Sequence, residues 1–305
     1  MRAPFLCLAA ALFSAAGLTP SAFAQDTLAQ ESSRRQAILA RLPADAAKRV
    51  FGLATSPAPG PARPIGDYTK GCVAGAVQLP ADGPNWQVMR PSRNRAWGHP
   101  ILVGFLPRLA ATLPSVANWP GLLVGDIGQP RGGPMLTGHT SHQVGLDADI
   151  WLTPMPDRRL TPAERDNMSA TDLVNSNGSN IDPRIWRPEH RRLLEAFARS
   201  PEVERIFVNP AIKRALCREA GADRAWLERI RPWWGHNFHF HVRLACPRGE
   251  PECRNQAPPP PGDGCGADLD WWLTHDTKNL TPREPAIGPL VSEMPPACAA
   301  LARGP

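Results

Sequence analysis

Two distant segments of the chain alternate apolar residues with histidine or aspartate. The first is LDADI, residues 146–150, and the second is FHFHV, residues 238–242. Because successive side chains of a strand point to opposite faces, this alternation predicts two strands, each with one apolar and one polar face. Asp147 and Asp149 then share a face of the first strand, and the two histidines share a face of the second. Once both apolar faces are buried, the polar faces can line a common cleft.

Histidine is concentrated at these two segments. Five of the eight histidines lie in residues 138–152 and 233–244. A catalytic zinc ion takes three protein ligands from His, Asp and Glu and keeps a fourth position for water. His142, Asp149 and His241 would make such a set, and the pKa of the bound water would fall toward about 7. An unligated histidine beside that water can move the proton, because imidazole titrates near neutral pH.

The competing interpretation is that these histidines are structural or surface residues. Histidine pairs at His-x-His spacing also arise by chance, but flanking aspartates on matching strand faces favour the metal site. The other three histidines are interpreted as background: His99, His190 and His275, with a place near the site left open for His99. Of these, His190 falls among arginines in a predicted helix and is expected to face solvent.

Residues 1–24 have the pattern of a secretory signal peptide. Arg2 supplies a positive charge, residues 5–18 are apolar, and Ala22-Phe23-Ala24 forms an A-x-A cleavage site. The apolar run is too short to span a bilayer, and no later segment has the roughly 18–20 apolar residues that a helical span needs. The sequence therefore predicts a secreted protein without a membrane span.

Cysteine usage supports an oxidising compartment. Of the seven cysteines, Cys7 lies in the signal segment, and six remain: Cys72, Cys217, Cys246, Cys253, Cys265 and Cys298. An even number in an exported chain predicts three disulfides rather than a thiolate metal site. Cys246 and Cys253 flank a short loop and can bond locally. Six cysteines allow 15 pairings, so the sequence leaves the other two bonds open.

The chain after the signal peptide is predicted to have an extension and one main domain. Residues 25–64 form the N-terminal extension, which ends in a proline-rich linker, ATSPAPGPARP. Residues 65–305 form the main domain, in which strand-like and helix-like segments succeed one another before a proline-rich C-terminal tail. This succession predicts an α+β fold. The net charge of +6 suits an anionic partner such as a cell-wall polymer or lipid headgroups, or simply solubility. No Lys/Arg block of the kind that binds nucleic acid is present.

The two histidine segments resemble the metal-binding motifs of the LAS metallopeptidases. Ser141-His142, Gly145 and Asp149 are similar to the His-x(6)-Asp motif, and His239-x-His241 is similar to the second motif, whose last histidine binds zinc. Wider stretches resemble the penicillin-insensitive murein endopeptidase family: GCVAGA (71–76), GHTSHQVGLDADI (138–150), RIFVNPAIK (205–213), CREAGADRAWLERIRPWW (217–234), HFHVRLACP (239–247) and PPPGDGCGADL (259–269). The resemblance covers most of the chain after the signal peptide and includes loops and cysteines as well as the metal motifs.

The resemblance implies both a fold and an activity. The fold would have an antiparallel sheet that lines a zinc cleft, together with helices and long loops tied by disulfides. The activity would be that of a periplasmic zinc metallopeptidase, which hydrolyses D-alanyl–diaminopimelyl cross-links in peptidoglycan. Its partners would be the cross-link peptides of the cell wall.

The resemblance also implies roles for individual residues. The zinc ligands would be His142, Asp149 and His241, and His139 would add a ligand or a hydrogen bond. Two histidines would serve catalysis: His239 as the general base and His236 as its companion near the oxyanion. The implied disulfides are Cys72–Cys298, Cys217–Cys265 and Cys246–Cys253.

One loop departs from the family pattern. Family members can bind a second, outlying metal through an Asp and a His, where this chain has Asn177 and Asn180, so a single zinc is expected. Two other functions stay open: a D,D-carboxypeptidase of the same fold, and a non-catalytic protein that binds the cell wall. The sequence also leaves open whether the chain acts as a monomer or as a homodimer.

Overall fold

The computed structural model describes residues 27–275 and 287–303. The predicted signal peptide and part of the proline-rich tail lie outside these residues. The helices are α1 (Leu28–Leu39), α2 (Ala47–Gly52), α3 (Pro100–Val116), α4 (Pro162–Asn167), α5 (Pro188–Arg199), α6 (Pro210–Glu219), α7 (Ala267–Thr274) and α8 (Pro296–Arg303). The strands are β1 (Arg63–Asp67), β2 (Lys70–Ala74), β3 (Val77–Gln78), β4 (Asp82–Gly83), β5 (Trp86–Val88), β6 (Trp97–Gly98), β7 (Leu122–Val124), β8 (Asp147–Trp151), β9 (Val203–Val208), β10 (Ile230–Pro232) and β11 (His239–Leu244). Within the described ranges, no helix combines the length and the apolar character that crossing a bilayer requires.

The main sheet runs in the order β10-β9-β11-β8-β7-β5-β4. Its centre is antiparallel, because β11 pairs with β9 and β8, and β8 pairs with β7. Two pairs are parallel, β10 with β9 and β5 with β7. The predicted α+β class is confirmed, and the sheet is mixed rather than antiparallel throughout. Helices α3 and α6 lie between the strands of the two parallel pairs and provide the crossovers that parallel pairing needs.

The two strands predicted from alternation, β8 and β11, lie side by side at the centre of this sheet. Ala148 and Ile150 on β8 and Phe240 and Val242 on β11 are fully buried in the main core. Fully burying a side chain of the size of Ile or Phe stabilises a protein by about 1.5–3 kcal/mol. This burial therefore decides which face of each strand packs inward and leaves the His and Asp side chains on the other face.

Two helices show how far local signals determine structure. Thr161 caps α4: its hydroxyl accepts a hydrogen bond from the Glu164 amide, and the Glu164 carboxylate accepts one from the Thr161 amide. On α5, the expectation that His190 faces solvent is wrong. The His190 ring is buried, stacks on Trp186, and donates from Nε2 to the carbonyl oxygen of Leu152 at 3.1 Å.

Three disulfides tie the loops together: Cys72–Cys298, Cys217–Cys265 and Cys246–Cys253. These are the pairs that the family resemblance implies. The N-terminal helices pack on the main body, and Phe51 of α2 is fully buried in the cluster that contains the Cys72–Cys298 bond. The boundary predicted after residue 64 falls inside β1, in which Arg63 pairs with Ala74.

Candidate metal centre

The register of β8 and β11 brings two predicted ligands together. His241 lies directly opposite Asp149, and Arg243 lies opposite Asp147. Opposite residues of an antiparallel pair share a face and have Cβ atoms about 4.5–5.5 Å apart. The alternation puts both side chains on the same face of the sheet, and the register of β8 with β11 places the imidazole beside the carboxylate.

The loop before β8 supplies two more histidines, His139 and His142. His142 adopts a left-handed backbone conformation with φ 67°, which is uncommon for a residue with a Cβ. Its amide donates to Asp147 Oδ2 at 2.9 Å, and its Nδ1 donates to the carbonyl oxygen of Ile127 at 2.6 Å. These bonds hold the backbone in this conformation and direct Nε2 toward Asp149.

Four imidazoles surround Asp149. Its Oδ1 lies 3.3 Å from His142 Nε2 and 3.3 Å from His241 Nδ1. Its Oδ2 lies 3.5 Å from His139 Nε2 and 3.6 Å from His239 Nε2. Burial disfavours a charged carboxylate, but the surrounding imidazoles outweigh burial and hold the pKa of Asp149 well below its usual value. The fold thus brings residues from three separate segments of the sequence together around the ionised carboxylate of Asp149.

Three buried atoms of this cluster have no hydrogen-bond partner among the described residues: His142 Nε2, Asp149 Oδ1 and His239 Nδ1, of which the first two face each other at 3.3 Å. A buried polar atom without a partner costs free energy, so this arrangement suits a cation that the two facing atoms can bind. The ligand atoms of His139, His142 and Asp149 lie within 4.8 Å of one another and form a candidate metal group. Imidazole nitrogen and carboxylate oxygen together suit a divalent ion such as zinc.

Asp147 holds two of the predicted ligands, His142 and His241, in place through hydrogen bonds. Its buried Oδ1 accepts hydrogen bonds from His241 Nε2 at 3.0 Å and from Arg243 Nε at 2.8 Å. Burial alone would raise the pKa of Asp147, but Arg243 and His241 outweigh it and lower that pKa below its usual range. The bond places the His241 proton on Nε2 and leaves Nδ1 available as a ligand. The alternation predicted the face on which Asp147 lies but not this role.

Asp126 anchors His139 and was missed by the sequence analysis. Its Oδ2 lies 3.0 Å from His139 Nε2 and accepts hydrogen bonds from Arg95 at 2.9 Å and Arg93 at 3.2 Å. Burial opposes the charge of Asp126, but the two arginines hold its pKa well below the usual value. Glu31 of α1 lies behind the same arginines, 3.8 Å from Arg95 and 3.9 Å from Arg93. The available sequence signal was an acidic residue that closely follows a buried strand, β7.

His236 and His239 lie next to the ligand pair. Their ring centroids are 4.8 Å apart, and His236 Nδ1 donates to the carbonyl oxygen of Trp234 at 3.0 Å. Burial lowers the pKa of His239 to about 4 and holds the pKa of His236 well below its usual value. Both rings are therefore neutral near pH 7, and a neutral imidazole can accept a proton.

The loop that departs from the family pattern is exposed and closes on itself. The Asn177 side chain accepts a hydrogen bond from the Ser179 amide at 2.9 Å, and Asn175 accepts one from the Asn180 amide at 3.1 Å. The side chains of Asn175 and Asn177 thus form hydrogen bonds within their own loop.

Comparison with known proteins identifies relatives over most of the chain. A family model described as penicillin-insensitive murein endopeptidase matches residues 64–303. A penicillin-insensitive murein endopeptidase of Klebsiella pneumoniae subsp. pneumoniae is 46% identical over 247 residues, which cover 81% of this chain and 88% of the relative. One of Haemophilus influenzae is 47% identical over 240 residues, which cover 75% of this chain and 80% of the relative. One of Escherichia coli O1:K1 is 44% identical over 247 residues, with coverage of 81% and 88%.

Proposed function

Because the chain belongs to the penicillin-insensitive murein endopeptidase family, we propose that it is a zinc-dependent hydrolase of D-alanyl–diaminopimelyl cross-links in periplasmic peptidoglycan. The chain is a peptidase that acts on murein; the metal, the bond and the compartment are the proposed parts. One observation carries the metal assignment. Two buried atoms without hydrogen-bond partners in the described chain, His142 Nε2 and Asp149 Oδ1, face each other at 3.3 Å within the matched residues.

We assign the zinc ligands as His142, Asp149 and His241. His142 Nε2 and His241 Nδ1 face the same oxygen of Asp149, and the other nitrogen of each ring is already hydrogen bonded. His139 faces the other oxygen, and the same nitrogen contacts Asp126. In this assignment His139 is a hydrogen-bonding neighbour of the centre rather than a ligand.

Catalysis would depend on the remaining histidines. When bound, zinc would supply the Lewis acidity that polarises the scissile carbonyl and activates a water molecule. His239 would take a proton from that water and pass it to the leaving amine, because its ring is neutral near pH 7 and lies at the cleft. His236, whose ring lies next to that of His239, would be its companion near the scissile carbonyl. No serine nucleophile takes part, so we expect no inhibition by an acylating β-lactam.

The proposal extends to the whole chain. Residues 1–24 would direct export and be removed, and residues 25–64 would fold together with the catalytic domain, residues 65–305. The periplasm suits this chain because its three disulfides need an oxidising compartment. A single zinc per chain is proposed, since Asn177 and Asn180 are poor replacements for carboxylate and imidazole ligands.

Digestion of purified cross-linked muropeptide dimers tests the proposal. The zinc-loaded protein should convert dimers into monomers, a chelator should stop the reaction, and added zinc should restore it, as followed by mass spectrometry. Release of free D-alanine from pentapeptide monomers would instead favour a D,D-carboxypeptidase. Sedimentation with sacculi without any cleavage would favour a non-catalytic wall-binding protein.

Two variants separate metal binding from catalysis. His239→Ala should retain zinc and lose turnover by about 10²–10⁴-fold, because only the proton acceptor is removed. His142→Ala should lose both zinc and turnover, because a ligand is removed. Zinc content and dimer hydrolysis are measured on the same samples, with Gln36→Ala, at an exposed position on α1, as the control. A His239→Ala protein that purifies without zinc would contradict the assignment.

A further inference from the structure

Three tryptophans outside the metal centre form an exposed aromatic surface. Trp271 is 42% exposed and Trp233 is 37% exposed. Trp272 lies half-buried between them, with its ring centroid 5.5 Å from each of theirs. Adjacent tryptophans that remain exposed in a folded protein are typical of a binding surface. We call Trp233, Trp271 and Trp272 the aromatic platform.

The aromatic platform is continuous with the cleft. The Trp233 ring centroid lies 5.9 Å from that of Phe207, and the Phe207 centroid lies 5.4 Å from that of His241. Phe207 also lies 6.5 Å from the His236 ring. A ligand whose one end occupies the metal centre can therefore extend along these rings onto the platform.

The fold holds the platform in place. Helix α7, which carries Trp271 and Trp272, buries Leu269 and packs on α6. Just before α7, Cys265 forms a disulfide with Cys217 of α6. Aromatic side chains on a fixed element lose little conformational freedom when a ligand stacks on them. The platform is thus prepared for binding before any ligand arrives.

The charges near the platform disfavour a membrane as its partner. Asp268 and Asp270 lie in the first turn of α7, and Arg231 Nη1 approaches Asp268 only at 3.7 Å. Carboxylates at this position oppose contact with an anionic lipid surface. An uncharged saccharide meets no such opposition.

We propose that the aromatic platform binds the glycan strand of peptidoglycan, with its N-acetylhexosamine rings stacked on the indoles while the attached peptide enters the cleft. This inference rests on the proposed function, because glycan and cross-link peptide are parts of one substrate. The face of an aromatic ring carries partial negative charge, which attracts the weakly positive C–H groups on the face of a sugar ring. The continuity of the platform with His241 gives the two parts of that substrate adjacent sites.

Binding of peptide-free glycan strands, prepared with an amidase, tests the platform without catalysis. The wild-type protein should bind the strands, and Trp271→Ala should weaken binding about tenfold, as removal of a central aromatic contact does. Trp271→Phe keeps a ring and should lose less, and Trp233→Ala serves as a second variant. Val116→Ala is the matched control, because Val116 is a 54% exposed apolar side chain on α3. Equal binding by the wild type and both alanine variants, all with native circular dichroism, would overturn the inference.

Cleavage rates distinguish this inference from the proposed function. Trp271→Ala should lower about tenfold the ratio of the rate on intact sacculi to the rate on cross-linked peptides freed from glycan. An unchanged ratio in an active enzyme overturns the glycan inference and leaves the proposed function standing. If the wild type cleaves neither substrate, the proposed function fails, and the binding assay alone then tests whether the platform binds glycan. Loss of self-association in Trp271→Ala, with glycan binding unchanged, would assign the platform to a second copy of the chain and also overturn the inference.

Discussion

Asp147 and Asp149 lie two positions apart on β8 and share a face, but their hydrogen-bonding surroundings differ and give the two carboxylates different roles. Asp149 Oδ1 has no hydrogen-bond partner in the described chain and faces two imidazole nitrogens. Asp147 is fully buried and is occupied by the His142 amide, the His241 ring and Arg243. One carboxylate is therefore available to an ion, and the other is committed to holding the ligands that would bind it.

Replacing Asp147 by asparagine should weaken metal binding although no proposed ligand changes. An amide cannot accept from the His142 N–H on one side and from His241 and Arg243 on the other, because one of its two groups is a donor. Loss of such a supporting contact lowers metal affinity about 10–100-fold. Competition with a chelating dye measures the affinity, and Asp270→Asn, an exposed aspartate on α7, should leave it unchanged. Equal zinc affinity in Asp147→Asn and the wild type would show that Asp147 does not position the ligands.

Lys213 of α6 makes the free energy of unfolding depend on pH. Its Nζ donates to the carbonyl oxygens of Leu227 and Asp263, and burial, reinforced by Arg231, lowers its pKa from 10.5 to about 7. Between these two values the unfolded chain binds more protons than the folded one. The free energy of unfolding should therefore rise with pH in this window, by at most about 1.4 kcal/mol per unit. Urea unfolding at pH 7.5 and 9 should show this gain in the wild type relative to Lys213→Met, and parallel pH curves for the two proteins would contradict it.

Single residues set the limit of what the sequence could predict about the site. His142, Asp149 and His241 could be proposed as a set because strand alternation and motif spacing mark them locally. Asp126 could not, because its contacts with His139 and with two arginines depend on how loops from different parts of the chain meet. His190 was misassigned for a similar reason: arginine neighbours suggest a solvent-facing surface, whereas the ring itself stacks on Trp186.

At the level of elements, α1 belongs to the folded body although it lies outside the residues that match the family. Its Glu31 is buried, contacts Thr137 in the loop before His139, and lies near Arg93 and Arg95. Those arginines in turn hold Asp126. The first helix therefore contributes a negative charge that helps to balance the buried Arg95 and the partly buried Arg93 beside the cleft.

Removing that charge tests whether α1 stabilises the body. Glu31→Gln keeps the size of the side chain but leaves the arginines with less compensation, and we expect a loss of about 1–3 kcal/mol in the free energy of unfolding. Thermal or urea unfolding measures the loss. Gln36→Ala, at an exposed position on the same helix, should stay within about 0.5 kcal/mol of the wild type. Equal free energies of unfolding for Glu31→Gln and Gln36→Ala would show that α1 does not stabilise the body through Glu31.

The sequence predicted the existence of individual helices and strands better than it predicted the pairing and register of the strands. Alternation alone indicated β8 and β11, and Thr161-Pro162-Ala163-Glu164 has the sequence pattern of a capping box at the start of α4. Neither signal specifies register, because pairing partners are distant in sequence and hydrophobic alternation permits any shift by two residues. The pairing of His241 with Asp149 was therefore a consequence of the metal hypothesis rather than of the strand pattern.

At the scale of the whole molecule, covalent bonds join segments that lie far apart in the chain. Cys72 of β2 and Cys298 of α8 are both fully buried and 226 residues apart in sequence. The same cluster contains Phe51 of α2. Helix α2, the β1–β2 hairpin and α8 thus form one packed unit around this bond.

That arrangement predicts unequal effects for the disulfides. In the chain-entropy model, a bond stabilises by limiting the unfolded chain, so a longer closed loop gives a larger effect. For separations of 226 and 7 residues the model gives about 5 and about 2 kcal/mol. Cys72→Ala/Cys298→Ala should therefore lose more free energy of unfolding in non-reducing urea than Cys246→Ala/Cys253→Ala, its matched control, and the cavity left at the buried pair adds to the loss. If the two double variants unfold at the same urea concentration, the unit around Phe51 holds without its disulfide, and packing rather than the covalent link joins α2 to α8.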